Sequence, residues 1–344
     1  MASERFQNAL KRVPQSIPPI WFMRQAGRYH RHYQKLRAKH SFMELCKNPE
    51  LAAEVALGPV ADFDFDVAIL FSDLLFPLQA LGLSLTYGDA GPNLDPRLDA
   101  SELRRLRSVE EALPDLEFQR EAMRRTREII PQDKSVIGFV GGPWTLFVYA
   151  VEGSHKGNLV ESKTSAGMYR ALADRLVPLL IENIRLQLDG GAEVVMIFDT
   201  AAGELAPDWF HREISGDLAA IFEAFPGRIG YYARGTQPAH LRNPRFGPGP
   251  LAGIGVDWRW DLREAMKVGD GVGFVQGNFD QSLLFLSATE FERELRSYLR
   301  PLIALSPAER RGWVCGLGHG VLPYTPEENV RAFVRIVREV FHES

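Results

Sequence analysis

A short apolar run, rich in β-branched and aromatic residues and ending in a polar or glycine-containing tail, occurs eight times along this chain. The runs are PIWFMRQ near residue 19, VAILFSD near 67, SVIGFVGG near 135, EVVMIFDT near 193, RIGYYARG near 228, GIGVDW near 253, GFVQGNFD near 273 and WVCGLGHG near 313. Strands of a parallel sheet are covered on both faces and read as continuous apolar runs of this kind. Most of the intervening stretches have helical character. NPELAAEVALGPVADF offers Asn48 as an N-cap with Pro49 at the first helical position, where a backbone N–H is not needed. EFERELRSYLRPLIAL and EENVRAFVRIVREVF carry apolar residues at helical spacing. Eight strand-then-helix units predict an α/β chain closed into a (β/α)8 TIM barrel, whose chemistry sits at the carboxyl ends of the strands. An open doubly wound sheet would place its glycine-rich fingerprint after the first strand, and here GLGHG follows the last. ALGLSLTYGDAGPNL reads as a hairpin inserted after the second strand, with Tyr87-Gly88-Asp89 near its turn.

No low-complexity segment, fixed-period repeat or Gly/Ser linker divides the 344 residues, so residues 1–344 are expected to form one domain. The formal net charge of -4 excludes a general nucleic-acid binder, which would carry a basic surplus over a whole face. Cys46 and Cys315 lie far apart with no CxxC spacing, so neither a disulfide framework nor a zinc site is indicated. MASERFQNALKR lacks a signal-peptide apolar run, and no later stretch reaches the roughly 18 uninterrupted apolar residues of a membrane span. The expectation is a cytoplasmic protein with no membrane partner.

Against that net charge, the stretch from Ile20 to His40 holds six Lys or Arg, three His and no acid. On one helix Arg24, Arg28, Arg31 and Lys35 would stack like charges at spacings of three and four. Gly27 argues against such a helix, which places Arg24 and Arg28 on the loop leaving the first run, as a cationic surface or as carboxylate or phosphate ligands. Asp73 closes VAILFSD, as a helix N-cap or as a hydrogen-bond acceptor facing a cationic mouth. In GFVGGPWTLFVYAVEG the aromatics Phe139 and Trp144 suit packing, whereas the Tyr149 hydroxyl needs a partner if buried. Phe198 and Thr200 end the fourth run, and Thr200 offers a small donor at the rim. His319 lies between Gly318 and Gly320, which leave it free to approach a ligand.

The segment Pro19-Ile20-Trp21-Phe22-Met23-Arg24-Gln25-Ala26-Gly27-Arg28 resembles the N-terminal signature of the uroporphyrinogen decarboxylase family. Gly138 to Leu146, with Tyr149 and Glu152-Gly153, resembles its second signature, and FSDLL, QGNFD and GLGHG extend the likeness over nearly the whole chain. The resemblance implies a single-domain (β/α)8 barrel that acts, as a homodimer and without metal or organic cofactor, on uroporphyrinogen, a cyclic tetrapyrrole with four acetate and four propionate side chains. It implies Asp73 as acceptor for the pyrrole N–H groups and Arg24, Arg28 and Arg37 as carboxylate-binding cations, with Gln25, Ala26 and Gly27 in the same binding segment. Tyr149, Thr200 and His319 match its remaining polar pocket positions, and Phe139 and Phe198 its apolar walls. Asp73, Arg24 and His319 are the expected catalytic residues, His319 having the better-matched pKa for an acid. Where many members have serine then histidine, this chain has Thr200-Ala201. Two alternatives are a corrinoid- or thiol-dependent methyltransferase of the same superfamily and a non-catalytic tetrapyrrole carrier. The rim contacts of a dimer are expected from the loops after the strands, including 79–95 and RNPRFGPGP at 242–250.

Overall fold

The structure is a computed structural model that describes residues 2–88, 91–242 and 251–342. Seven of the eight apolar runs form strands of one parallel sheet. They are β1 (Val67–Ile69), β4 (Ser135–Gly141), β5 (Val195–Phe198), β6 (Ile229–Tyr232), β7 (Leu251–Gly255), β8 (Phe274–Phe279) and β9 (Trp313–Leu317), hydrogen-bonded in the order β1-β4-β5-β6-β7-β8-β9. Between β1 and β4 lies an antiparallel ribbon of β2 (Leu85–Gly88) and β3 (Gly91–Leu94). Of the hairpin turn predicted there, Asp89 lies outside the described residues, as do 243–250 of the predicted rim segment.

The first run departs from expectation, because it makes a single bridge, Ile20 with Cys315, in place of a strand. Pro18 and Pro19 remove two donors ahead of it, and Arg24, at φ 52°, turns the chain immediately after it. The bonds it does make face both ways. Trp21 N donates to Cys315 O (3.1 Å), Cys315 N donates to Pro19 O (2.9 Å), and on the other side Asp66 N donates to Ile20 O (3.0 Å). The segment therefore joins β9 to the residue preceding β1.

Side chains alternate along these segments, as a pleated backbone requires. Trp21, Met23, Val67, Ile69, Ile137, Met196, Tyr232, Phe274 and Val314 belong to one buried cluster enclosed by the sheet. Ile20, Phe22, Ala68, Val136, Val195, Ile197 and Tyr231 belong to a second, which packs against the surrounding helices. Those helices include Pro49–Phe63, capped by Asn48 as predicted, Ala166–Asp189, Ala288–Ile303 and Glu327–His342. The amino ends of the strands are covered by the helix Glu4–Leu10. Its Phe6 meets Phe274 (ring centroids 5.7 Å), while Ser3 N and Gln7 bond to Ser135 and Glu193 at the starts of β4 and β5.

Phe274 fills the enclosed cluster so tightly that a Cβ at Gly253 would run into its ring. Phe274→Ala is expected to cost about 3–5 kcal/mol, the transfer energy plus an uncollapsed cavity. Urea unfolding of the variant against the parent chain measures this, with Phe274→Leu expected to lose markedly less.

Candidate active site

At the carboxyl ends of the strands the inward row becomes aromatic. Phe139 of β4 meets Phe198 of β5 (5.6 Å between centroids), Phe198 meets Tyr232 of β6 (6.2 Å), and Tyr232 stacks on His319, just beyond β9 (5.9 Å). Phe139 and Phe198 are only partly buried, so their faces form the floor of an open mouth. Thr200 lies two residues past Phe198, half-buried on the same row.

The cationic arm crosses one side of this floor. Arg24 takes a left-handed backbone conformation (φ 52°), uncommon for a residue with a long side chain and a form of strain that collects at functional sites. The neighbouring chain holds it there. Val321 N donates to Met23 O (3.0 Å), the Gln25 amide donates to Val67 O (3.0 Å), and the Tyr29 hydroxyl donates to Gln25 O (2.6 Å). Gly320 is required beside it, since a Cβ there would stand 2.9 Å from Arg24 Cβ. The predicted loop thus carries Arg24 and Arg28, both exposed, and the helix Arg31–Arg37 follows. Ala26, Tyr33 and Leu36 seat the arm on Leu45, Val55 and Phe71. Among the described residues Arg24, Arg28 and Arg37 form no ion pair, while Arg31 is 3.7 Å from Glu328. Arg28 and Arg37 flank Tyr33, and Arg37 also donates to His40 O (2.8 Å).

Asp73 faces the arm. Its Oδ1 accepts from Leu75 N (2.9 Å), a bond within the turn and not the predicted helix cap, because the helix Phe76–Ala80 starts after Leu75 without a side-chain cap. Burial raises its pKa, and the Leu75 N–H, Tyr87 and Arg24 oppose that rise. The Tyr87 hydroxyl, carried by β2, is buried beside Asp73 without a well-formed hydrogen bond. Tyr149 has the partner its burial demands, with its hydroxyl 2.8 Å from His155 Nδ1. Its helix, Pro143–Glu152, is pinned by Asp199, which accepts from Thr145 N (2.8 Å) and Thr145 Oγ1 (2.7 Å). Asp199 is fully buried, and burial lifts its pKa to about 6. Gly142 leaves the space this acid occupies.

His319 stands at the mouth beside Tyr232, as its position after β9 predicts. The Tyr232 hydroxyl donates to Gly318 O (2.8 Å), so its 2.9 Å contact with His319 Nδ1 must be the ring N–H donating to the phenol oxygen. In the neutral ring that tautomer leaves Nε2 as the acceptor. Burial, followed by the nearby Arg24 and Arg234, lowers its pKa to about 3.

The description uroporphyrinogen decarboxylase (URO-D) belongs to the family model that matches residues 1–340. The chain belongs to the uroporphyrinogen decarboxylase family. "Uroporphyrinogen decarboxylase" of Solibacter usitatus is 32% identical, over 98% of this chain and 97% of that protein. Its namesake in Anaeromyxobacter dehalogenans is 37% identical, over 97% and 98%. Among solved structures, a methyltransferase from Methanosarcina mazei superposes with a TM-score of 0.74 over 98% of both chains; at 21% identity this likeness concerns the fold.

Within this member of the uroporphyrinogen decarboxylase family, Arg24 is the hub, within electrostatic reach of Asp73, Tyr149, His155, Tyr232 and His319. The Gln25 amide and Ala26 methyl seat the arm, and a Cβ at Gly27 would face open space. Tyr87, which the sequence marks only as a residue near the hairpin turn, joins His155, Tyr232 and Arg234, which it does not single out, in completing the mouth. The tails YYARG and AVEGSH did place three of them at the ends of elements, where an inward row continues.

The His319 geometry sets its titration. Because its folded pKa lies below the ordinary 6.5, the unfolded chain takes up a proton that the folded chain refuses, and stability falls as pH drops from about 6.5 toward about 3. Nitrogen-15 NMR of histidine-labelled protein at pH 5 is expected to show His319 neutral and protonated on Nδ1.

Proposed function

We propose that this chain decarboxylates the four acetate side chains of uroporphyrinogen III to methyls, releasing four CO2 and giving coproporphyrinogen III in tetrapyrrole biosynthesis. The observation that carries this reading is the placement of one buried acceptor, Asp73, beside an acid-free arm of arginines over an aromatic floor. Eight carboxylates need cations gathered at one mouth, and Arg24, Arg28 and Arg37 supply them. Four pyrrole N–H donors need an acceptor at the centre, and Asp73 supplies it. The buried carboxylate, costly to ionise in the empty pocket, gains from each N–H it accepts.

The reaction requires a sink for the electron pair left by CO2, which the pyrrole itself provides. A proton added to the ring carbon beside the acetate-bearing one gives an iminium-like cation. CO2 leaves, the released pair neutralises that cation as an exocyclic methylene forms, and a second proton completes the methyl while the ring proton is lost. Asp73 stabilises the cation by fixed charge, an effect worth several kcal/mol in a water-poor site. His319, with Nε2 open, is an acceptor for a ligand donor in this scheme. Phe139 and Phe198 lie under the macrocycle, with Tyr149 and Thr200 offering hydroxyls at its edge. No added cofactor enters any step. The pair of hydrogen-bonded edges at Ile20 supports a closed eight-membered (β/α)8 ring in one domain.

Anaerobic incubation with uroporphyrinogen III, followed by product separation, is expected to yield coproporphyrinogen III, with activity kept in chelator. Asp73→Asn is expected to reduce kcat at least a hundredfold with an unchanged unfolding midpoint, because an amide accepts N–H bonds but carries no charge to offset the cation.

We further propose a homodimer whose mouths face each other. The exposed Tyr324, beyond β9, and Phe285, beyond β8, support this, since both stand on loops at the open end with large apolar surface uncovered. Light scattering at micromolar concentration is expected to return about twice the 38.7 kDa chain mass.

A further inference from the structure

The arm bearing Arg24 leaves the sheet at one point, and a macrocycle with carboxylates on all sides must also be held at the other. Counted along hydrogen-bonded neighbours, the Ile20 segment and β6 are four steps apart in either direction, through β1, β4 and β5 or through β9, β8 and β7. The tail of β6 therefore stands across the mouth from the arm. That tail carries Arg234. Tyr232 points inward, with its hydroxyl on Gly318 and His319, and Arg234 follows in the turn after β6, within electrostatic reach of His155 and His319.

The main chain at Arg234 is fixed from two sides. Gly235 N donates to the buried Asp257 (2.6 Å), and the absence of a side chain at Gly203 lets that residue press against the Arg234 carbonyl. The Arg234 side chain is half-buried, yet among the described residues it has no hydrogen bond or ion pair. The nearest buried acid, Asp257, acts on the same Tyr232 but is bonded to Gly235 N and Arg259 and forms no ion pair with Arg234. His155 and His319, both lowered in pKa chiefly by burial, lie within its field, as does Tyr232. Arg24 and Arg259 repel it across the same histidine. Glu204 acts on His155 but is itself exposed. The neighbouring Arg259 is in a different state, paired with Asp257 at 2.6 Å and lying over the Trp258 ring at 4.5 Å. A guanidinium at the mouth with no ion pair of its own is free to bind a carboxylate bidentately.

We propose that Arg234 is a further substrate-binding residue, which receives a side-chain carboxylate of the tetrapyrrole on the wall opposite Arg24, with His155 beside it. This rests on the proposed reaction, and it divides the anion-binding surface into two walls with Asp73 between them. An arginine on each side fixes the macrocycle in its plane, so that loss of one wall weakens binding more than chemistry.

The test is steady-state kinetics on uroporphyrinogen III with the full-length chain as Arg234→Ala and Arg234→Lys. Arg234→Ala is expected to raise KM about tenfold with kcat within twofold, and Arg234→Lys to recover at least half of that loss on a logarithmic scale. The unfolding midpoints should match the parent's, because the side chain makes no contact that folding needs. An unchanged KM in Arg234→Ala, or a lysine variant as impaired as the alanine, would overturn the proposal. Failure of the parent chain itself to decarboxylate uroporphyrinogen would instead remove the reading on which the proposal stands, so the two failures are distinguishable.

Discussion

The main-chain hydrogen bonds around Ile20 are the constraint on which the rest of the molecule depends. Trp21 and Pro19 bond to Cys315 on one side and Ile20 bonds to Asp66 on the other, so a segment too short to be a strand connects the two ends of a seven-stranded sheet. The segment also delivers Trp21 and Met23 to the enclosed cluster. Its brevity has a functional side. The chain leaves the sheet at Met23 and turns through a left-handed Arg24, which puts a guanidinium at the mouth while Val321 N holds the preceding carbonyl.

Electrostatics then separates two kinds of arginine. Those on the outer helices are mostly paired, as with Arg124 between Glu121 and Glu128 or Arg296 between Glu292 and Glu339. Such exposed pairs contribute little to stability, about 0–1 kcal/mol each, but they leave no charge uncommitted. Arg24, Arg28 and Arg234 stand at the mouth without acidic partners among the described residues. The histidines around them, His155 and His319, are lowered in pKa by burial and by those same cations. The mouth thus keeps its net positive character and, in Asp73, a carboxylate without an ion pair among the described residues, a combination suited to a polyanion with donors at its centre.

The acids that look similar in sequence do different work. Asp73, Asp199 and Asp257 all follow apolar runs. Asp199 is spent on Thr145 and so locates the helix that carries Tyr149, and Asp257 is spent on Gly235 and Arg259 and so locates two loops. Asp73 gives one oxygen to Leu75 N and remains beside Tyr87 and Arg24. A strand-end aspartate can serve either purpose, and which one it serves depends on donors contributed from elsewhere in the chain.

Much of this was legible in the residues themselves, because a buried parallel strand has to be continuously apolar and a helix start has to satisfy its own N–H groups. The seven strands, the Asn48 cap, the loop placement of Arg24 and Arg28 and the core role of Trp144 follow from such local rules. The family signatures likewise lie in contiguous residues. Only the tertiary structure decided that the first run is a bridge segment, since Pro18, Pro19 and the turn at Arg24 act on hydrogen bonds whose partners lie on β9 and beside β1. It alone set the surroundings of His319, because Tyr232, which contacts its ring, and the arginines that lower its pKa are far apart along the chain. It alone brought Tyr87, His155 and Arg234 to the mouth with Asp73. Period and propensity are properties of neighbours in sequence, whereas burial, field and hydrogen-bond partnership are set by neighbours in space.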